Sequence, residues 1–71
     1  MSQSNKALLP TPGQLAILQR VANGETQRAI ALDLGIGYQT VKNTMIICRR
    51  RMGAISTFNA VAIAIRGGLI K

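Results

Sequence analysis

The tight turn at Gly35-Ile36-Gly37 constrains this chain more than any other stretch of its sequence. On its N-terminal side, Thr26 can cap a short helix whose buried face is Ile30, Ala31 and Leu34, and Gly35 ends that helix. On its C-terminal side a longer helix is predicted roughly from Tyr38 to Met52, stopped by Gly53. Gly37 is its cap, acceptable but weaker than Ser or Asp. At about 100° per residue, Val41, Met45, Cys48 and Met52 fall on one narrow face of that helix, with Thr44 at its edge. Ile36 is expected to point inward as the apolar plug of the turn. Two helices joined by a short glycine-containing turn form a helix-turn-helix pattern.

The flanking sequence supplies a wall on each side of this pair. Pro10-Thr11-Pro12 is a helix entry, with Thr11 as cap and Pro12 at the first helical position, where a missing N–H costs nothing. Leu15, Leu18 and Ala22 recur at helical spacing, Ile17 and Val21 widen the stripe, and Asn23-Gly24 closes the helix. Ser56 caps a fourth helix, with Asn59 where a capping box would hold Glu or Gln. That helix is apolar almost all round from Phe58 to Ile65, and a helix of this kind is usually buried on more than one side. Gly67-Gly68 ends it, and Leu69-Ile70 can fold back. The expectation is an all-α, four-helix bundle containing the helix-turn-helix over residues 10–71, behind a flexible leader of residues 1–9 in which Leu8 and Leu9 can dock on the domain.

Charge narrows what such a domain can bind. Nine Lys and Arg face two Asp and Glu, for a net charge of +7 in 71 residues. That imbalance points to a polyanion, above all nucleic acid, whereas a charge that serves only solubility would not need to cluster. Here it does cluster, because the face of the third helix opposite Val41 and Met45 holds Gln39, Lys42, Asn43, Ile46 and Arg50, flanked by Arg49 and Arg51. A major groove admits one α-helix, and polar side chains on its outward face read base edges. Lys42 can donate to guanine O6/N7, Asn43 can pair with adenine N6/N7, Gln39 lies on the same face, and Ile46 can meet a thymine methyl. Arg49, Arg50 and Arg51, farther along, suit backbone phosphates, as do Thr26, Gln27 and Arg28 at the start of the second helix. Ile47 is a second apolar residue outside the core, expected to pack on a partner or a neighbouring helix.

Other chemistries find little support. One cysteine cannot form an internal disulfide, and Cys48 among Val41, Met45 and Met52 reads as a small buried residue rather than a redox switch. Histidine is absent, so a metal site is not expected, and no cofactor or small-molecule ligand is implied. Glu25 and Asp33 are the only acids, and no base stands beside a nucleophile, so the chain does not read as an enzyme. No apolar run reaches the length of a membrane span, and the polar start suggests a complete cytoplasmic protein. The fourth helix either closes the core or pairs with a second copy through Phe58, Val61, Ala62, Ile63 and Ile65, and the surplus of isoleucine favours the dimer.

These marks together resemble a known family. Thr11-Pro12, Ala22-Asn23-Gly24, Ile30-Ala31, Leu34-Gly35-Ile36, Thr40-Val41-Lys42-Asn43, Met52-Gly53 and Ser56 followed by Ala60-Val61-Ala62 are similar, in order, to the LuxR/GerE-type helix-turn-helix domain. The resemblance leaves out only the first ten residues and the last. It implies a four-helix domain that binds inverted-repeat duplex DNA as a homodimer through its last helix. It also places groove-facing positions at Lys42, Asn43 and Ile46, and phosphate contacts at Thr26, Gln27 and around Tyr38.

The departures from the family pattern are informative. Gln14, Ala16 and Ala29 stand where the family has glutamates, which leaves Arg20 and Arg28 without obvious helix-borne partners. Ile46 replaces a commonly polar residue, and Gly37 replaces a Ser-type cap. Without a receiver or ligand-sensing domain, the expectation is a small stand-alone transcriptional regulator not governed by phosphorylation or an autoinducer. One alternative is an interaction protein that pairs with a larger LuxR-type regulator through the fourth helix and blocks it. A promoter-reading domain of a sigma factor is less consistent with the apolar helix after Ser56. RNA polymerase is a further possible partner.

Overall fold

In a computed structural model of the chain, residues 9–71 are described, and they form four helices and no strand. They are α1 (Pro12–Ala22), α2 (Gln27–Leu34), α3 (Tyr38–Arg51) and α4 (Thr57–Arg66). The expected leader falls almost wholly outside the described residues, and so does the docking of Leu8. Leu9 is exposed, whereas Pro10 is buried at the edge of the domain.

Local chemistry accounts for each helix end. Thr11 and Gln14 form a reciprocal capping box at the start of α1: Gln14 N donates to Thr11 Oγ1 at 3.2 Å, and Thr11 N donates to Gln14 Oε1 at 2.9 Å. The Gln that stands in place of a glutamate therefore keeps the capping function. Thr26 Oγ1 accepts from Ala29 N at 3.1 Å, while Gly37 offers α3 no side-chain cap. Ser56 Oγ accepts from Asn59 N at 3.0 Å, but Asn59 is one carbon shorter than a Gln, and its Oδ1 accepts from Ile55 N rather than from Ser56 N. Gly35 takes a φ of +70°, a left-handed conformation that disfavours any side chain.

The core is centred on α3, which packs against all three other helices. Its stripe of Val41, Met45 and Cys48 is buried as the spacing predicts, against Ile17 and Leu18 of α1, Ile30 and Ala31 of α2, and Ala60 and Ala64 of α4. Met52 is half-buried at the end of this stripe, with its Sδ 3.9 Å from Cys48 Sγ. Ile70 folds back into the core, its tail held by Leu69 N donating to Ala64 O and Lys71 N to Gln19 Oε1.

Three expectations fail. Leu34 and Ile36 are 46% and 39% exposed, so neither belongs to the core. The reason is the closure of α2: Gly35 N donates to Leu32 O and Ile36 N donates to Ala31 O. Such a closure lays the residue after the glycine along the side of its own helix, and Ile36 accordingly lines a shallow surface cleft with Ala31 and Leu32. The fourth helix, expected to be buried on more than one side, fully buries only Ala60 and Ala64. Arg20 and Arg28 also prove to have partners: Arg20 binds Glu25 and Asp33, and the Arg28 guanidinium lies 4.7 Å from the centre of the Tyr38 ring.

Candidate nucleic-acid interface

The starts of α2 and α4 converge on the side of α3, and between them lies an open groove of about 630 Å³. Thr26, Gln27 and Arg28 line one wall, Tyr38, Lys42, Met45, Ile46 and Arg49 the floor, and Thr57 the far wall. Each contribution follows from local sequence. The Thr26 cap begins α2 in time to aim its first residues at the groove, and the cation–π pair of Arg28 with Tyr38 ties that start to the first turn of α3. Lys42 and Arg49 lie on the flank of α3 adjoining its buried stripe, about 100° from Val41 in the case of Lys42.

The electrostatics of the groove are one-sided. Arg28, Lys42 and Arg49 enter it and no carboxylate does. Two helix N-termini open on it as well, each carrying partial positive charge on unpaired amides. Both acids of the chain stand elsewhere, on the Arg20 guanidinium. The groove is therefore shaped and charged for an extended polyanion. Among the described residues, no cluster of His, Cys, Asp or Glu could hold a metal ion. Burial pushes the Cys48 thiol above its ordinary range, which opposes thiolate chemistry.

The residues singled out in the sequence fall into distinct groups. Thr26, Gln27, Arg28, Tyr38, Lys42, Ile46 and Arg49 come together in the groove. Gln39, Asn43 and Arg50 stand on the neighbouring outward face of α3, all exposed, with Gln39 Nε2 donating to Asn43 Oδ1 at 3.1 Å. Arg51 is apart from both: it lies on the opposite flank, and its Nη1 donates to Leu9 O at 3.2 Å. Ile47 is 43% exposed, so no neighbouring helix covers it.

On α4, Phe58 and Ile65 are 87% and 48% exposed, and the half-buried Val61 and Ala62 adjoin them in helical phase, Val61 also packing on the core. Ile63 faces the other way, lining a small apolar pocket with Leu9, Pro10, Met52 and Leu69. Thr57 and Met45 are the groove residues to which the sequence reading gave no site role, Met45 being assigned to the core; Thr57 was not singled out at all. Its signal was its place directly after the Ser56 cap, at a helix N-terminus brought back toward α3 by a short loop. No helix among the described residues is long and apolar enough to cross a membrane.

Comparison with known proteins places this geometry. Residues 11–64 match the family described as bacterial regulatory proteins, luxR family, of GerE type. The transcriptional regulatory protein YdfI of Bacillus subtilis (strain 168) is 35% identical over 68 residues, which span 96% of this chain and 32% of that protein. The chain thus spans about a third of the length of this curated relative. No solved structure gives a significant match. The matched segment runs from the cap of α1 to the last turn of α4 and contains every element that forms the groove, and the chain belongs to the luxR family of bacterial regulatory proteins, a family of regulators and not of enzymes.

Proposed function

We propose that the chain is a sequence-specific DNA-binding transcriptional regulator that reads the major groove with α3 and acts as a homodimer. The observation that carries this reading is the basic groove itself. It sets Arg28, Lys42 and Arg49 beside two helix N-termini, next to the exposed Gln39 and Asn43 of the same helix. Phosphates are held by Thr26, Gln27, Arg28, Tyr38, Arg49 and Thr57, with Arg50 on the outward face. Bases are read by Gln39, Lys42, Asn43 and Ile46. Arg51, bonded to Leu9 O, contributes to the field but makes no direct contact.

The second copy docks on the exposed side of α4 through Phe58, Val61, Ala62 and Ile65, whereas Ile63 supports the core from the other side. A twofold pair of this kind puts two recognition helices on an inverted repeat. The name of the Bacillus relative, a transcriptional regulatory protein, supports the same reading.

The test is equilibrium binding to a duplex selected from a randomised pool, followed across salt concentrations. Affinity should fall steeply as salt rises. Lys42→Ala should relax discrimination at one base position by about 1–3 kcal/mol, and Arg50→Ala should weaken all sequences alike and reduce the salt slope by about one. Unchanged binding in both variants would remove α3 from the interface.

The exposure of Phe58 also favours a second reading, in which α4 pairs with a larger regulator of the same family and blocks it. A chain that forms mixed dimers with such a regulator but shifts no duplex at low salt would establish that reading instead.

A further inference from the structure

We propose that Arg20, which stands outside the groove, is a positioning residue for DNA binding: from α1 it grips both ends of α2 and holds that helix's N-terminus on the groove. The inference rests on the DNA-binding reading above.

The geometry is specific. Arg20 Nε donates to Glu25 Oε1 at 3.0 Å and to Oε2 at 3.1 Å, and Nη2 donates to Glu25 Oε1 at 2.6 Å. Nη1 of the same guanidinium lies 2.7 Å from Asp33 Oδ2. Glu25 directly precedes the Thr26 cap of α2, and Asp33 lies in the last turn of that helix. One planar fork thus links the residue before the α2 cap to the last turn of α2, which a lysine with a single point charge could not do with the same contacts. Asp33 gains nothing from its own helix, because a carboxylate in a last turn opposes the helix dipole. Its pairing with Arg20 gives it a role between helices.

Apolar packing alone holds α2 weakly. The helix is too short to persist without tertiary support, and it buries only Ile30 and Ala31 while Leu32 stays 85% exposed. Yet it must present Thr26, Gln27 and Arg28 to the groove at a fixed angle. The two carboxylates supply what its core face lacks, and they do so away from the groove.

A double substitution separates this role from bulk electrostatics by the sign of its effect. Glu25→Gln with Asp33→Asn removes both negative charges, raising the net charge from +7 by two. Charge alone would tighten DNA binding. Loss of the grip predicts the opposite: affinity for the selected duplex about tenfold weaker, with a salt slope shallower by about one or two as phosphate contacts of α2 are lost.

Hydrogen exchange in the free protein gives an independent readout. The amides of α2 from Ile30 to Leu34 should exchange faster, with those of Met45 and Cys48 unchanged. Arg20→Lys, which keeps the charge but not the fork, should fall between the wild type and the double variant in both measurements. Equal or tighter binding by the double variant, unchanged exchange in α2, or a uniform rise across all helices would each overturn the proposal. A wild-type chain that binds no duplex would overturn the DNA reading, and exchange in α2 would still decide whether Arg20 holds that helix.

Discussion

α3 is the more polar of the two C-terminal helices, yet it buries Val41, Met45 and Cys48 almost completely. α4 is apolar along nearly its whole length, yet it buries Ala60 and Ala64 and leaves Phe58 and Ile65 outside. In α3 the large apolar residues set the orientation, so its polar residues are turned outward as a fixed array. In α4 the small residues face inward and allow a close approach, with Val61 and Ile63 at the edges of the core, so Phe58 and Ile65 are left on the surface. Apolar content therefore does not tell which side of a helix is the core. The size of the inward residues, and what the outward ones would cover, distinguish the two helices, as the recognition and association roles proposed for them require.

Substitutions on the two helices should separate these roles, beginning with the core face of α3. Met45→Ala should cost about 2–5 kcal/mol in folding stability by denaturant unfolding, because Met45 is almost wholly buried between the groove floor and the core and its loss removes that packing. If it cost no more than a surface change, α3 would not be anchored as described. Next, Ala60→Leu should cost about 1–3 kcal/mol through overpacking, although the larger residue is the more apolar. A neutral or stabilising result would mean that the contact between α3 and α4 is looser than the burial of Ala60 implies.

The outer face of α4 should behave oppositely. Phe58→Ser and Ile65→Glu should change the folding stability of the single chain by no more than about 0.5 kcal/mol. They should nevertheless convert a dimer to a monomer by sedimentation and weaken binding to an inverted repeat. A monomeric wild type would break this half of the contrast.

The smallest effect concerns Cys48. Burial raises its thiol above the ordinary range, so the folded chain favours the protonated form. That contribution is fully present below the pKa of the unfolded thiol and is lost as pH rises above it. The unfolding midpoint of the wild type should therefore drop more between about pH 8 and 10 than that of Cys48→Ala. Parallel profiles would show that Cys48 is not shielded from solvent.

Much of this arrangement was legible in the sequence. The Val41-Met45-Cys48 stripe could be read because helical phase and the glycines at Gly35 and Gly53 agree on one helix and one register. The groove residues of α2 and α3 could be read because charge and phase coincide there. Ile36 was misread because apolar character says nothing about hydrogen bonding, and the closure of α2 lays that side chain along the surface. The partners of Arg20 were hidden for a different reason. Glu25 lies five positions on and Asp33 on another helix, outside the spacings at which side chains on one helix meet. Thr57 enters the groove only through the path of a loop, which no periodicity encodes.

Methylation interference on the selected duplex tests most directly whether α3 reads the major groove. Methyl groups on guanine N7 lie in the major groove, whereas those on adenine N3 lie in the minor groove. Binding should be blocked by guanine N7 methylation at symmetrically placed positions in the two half-sites, and Lys42→Ala should lose sensitivity at one such position per half-site. Interference confined to adenine N3, or a pattern identical in wild type and Lys42→Ala, would contradict the assignment of α3 as the reading helix.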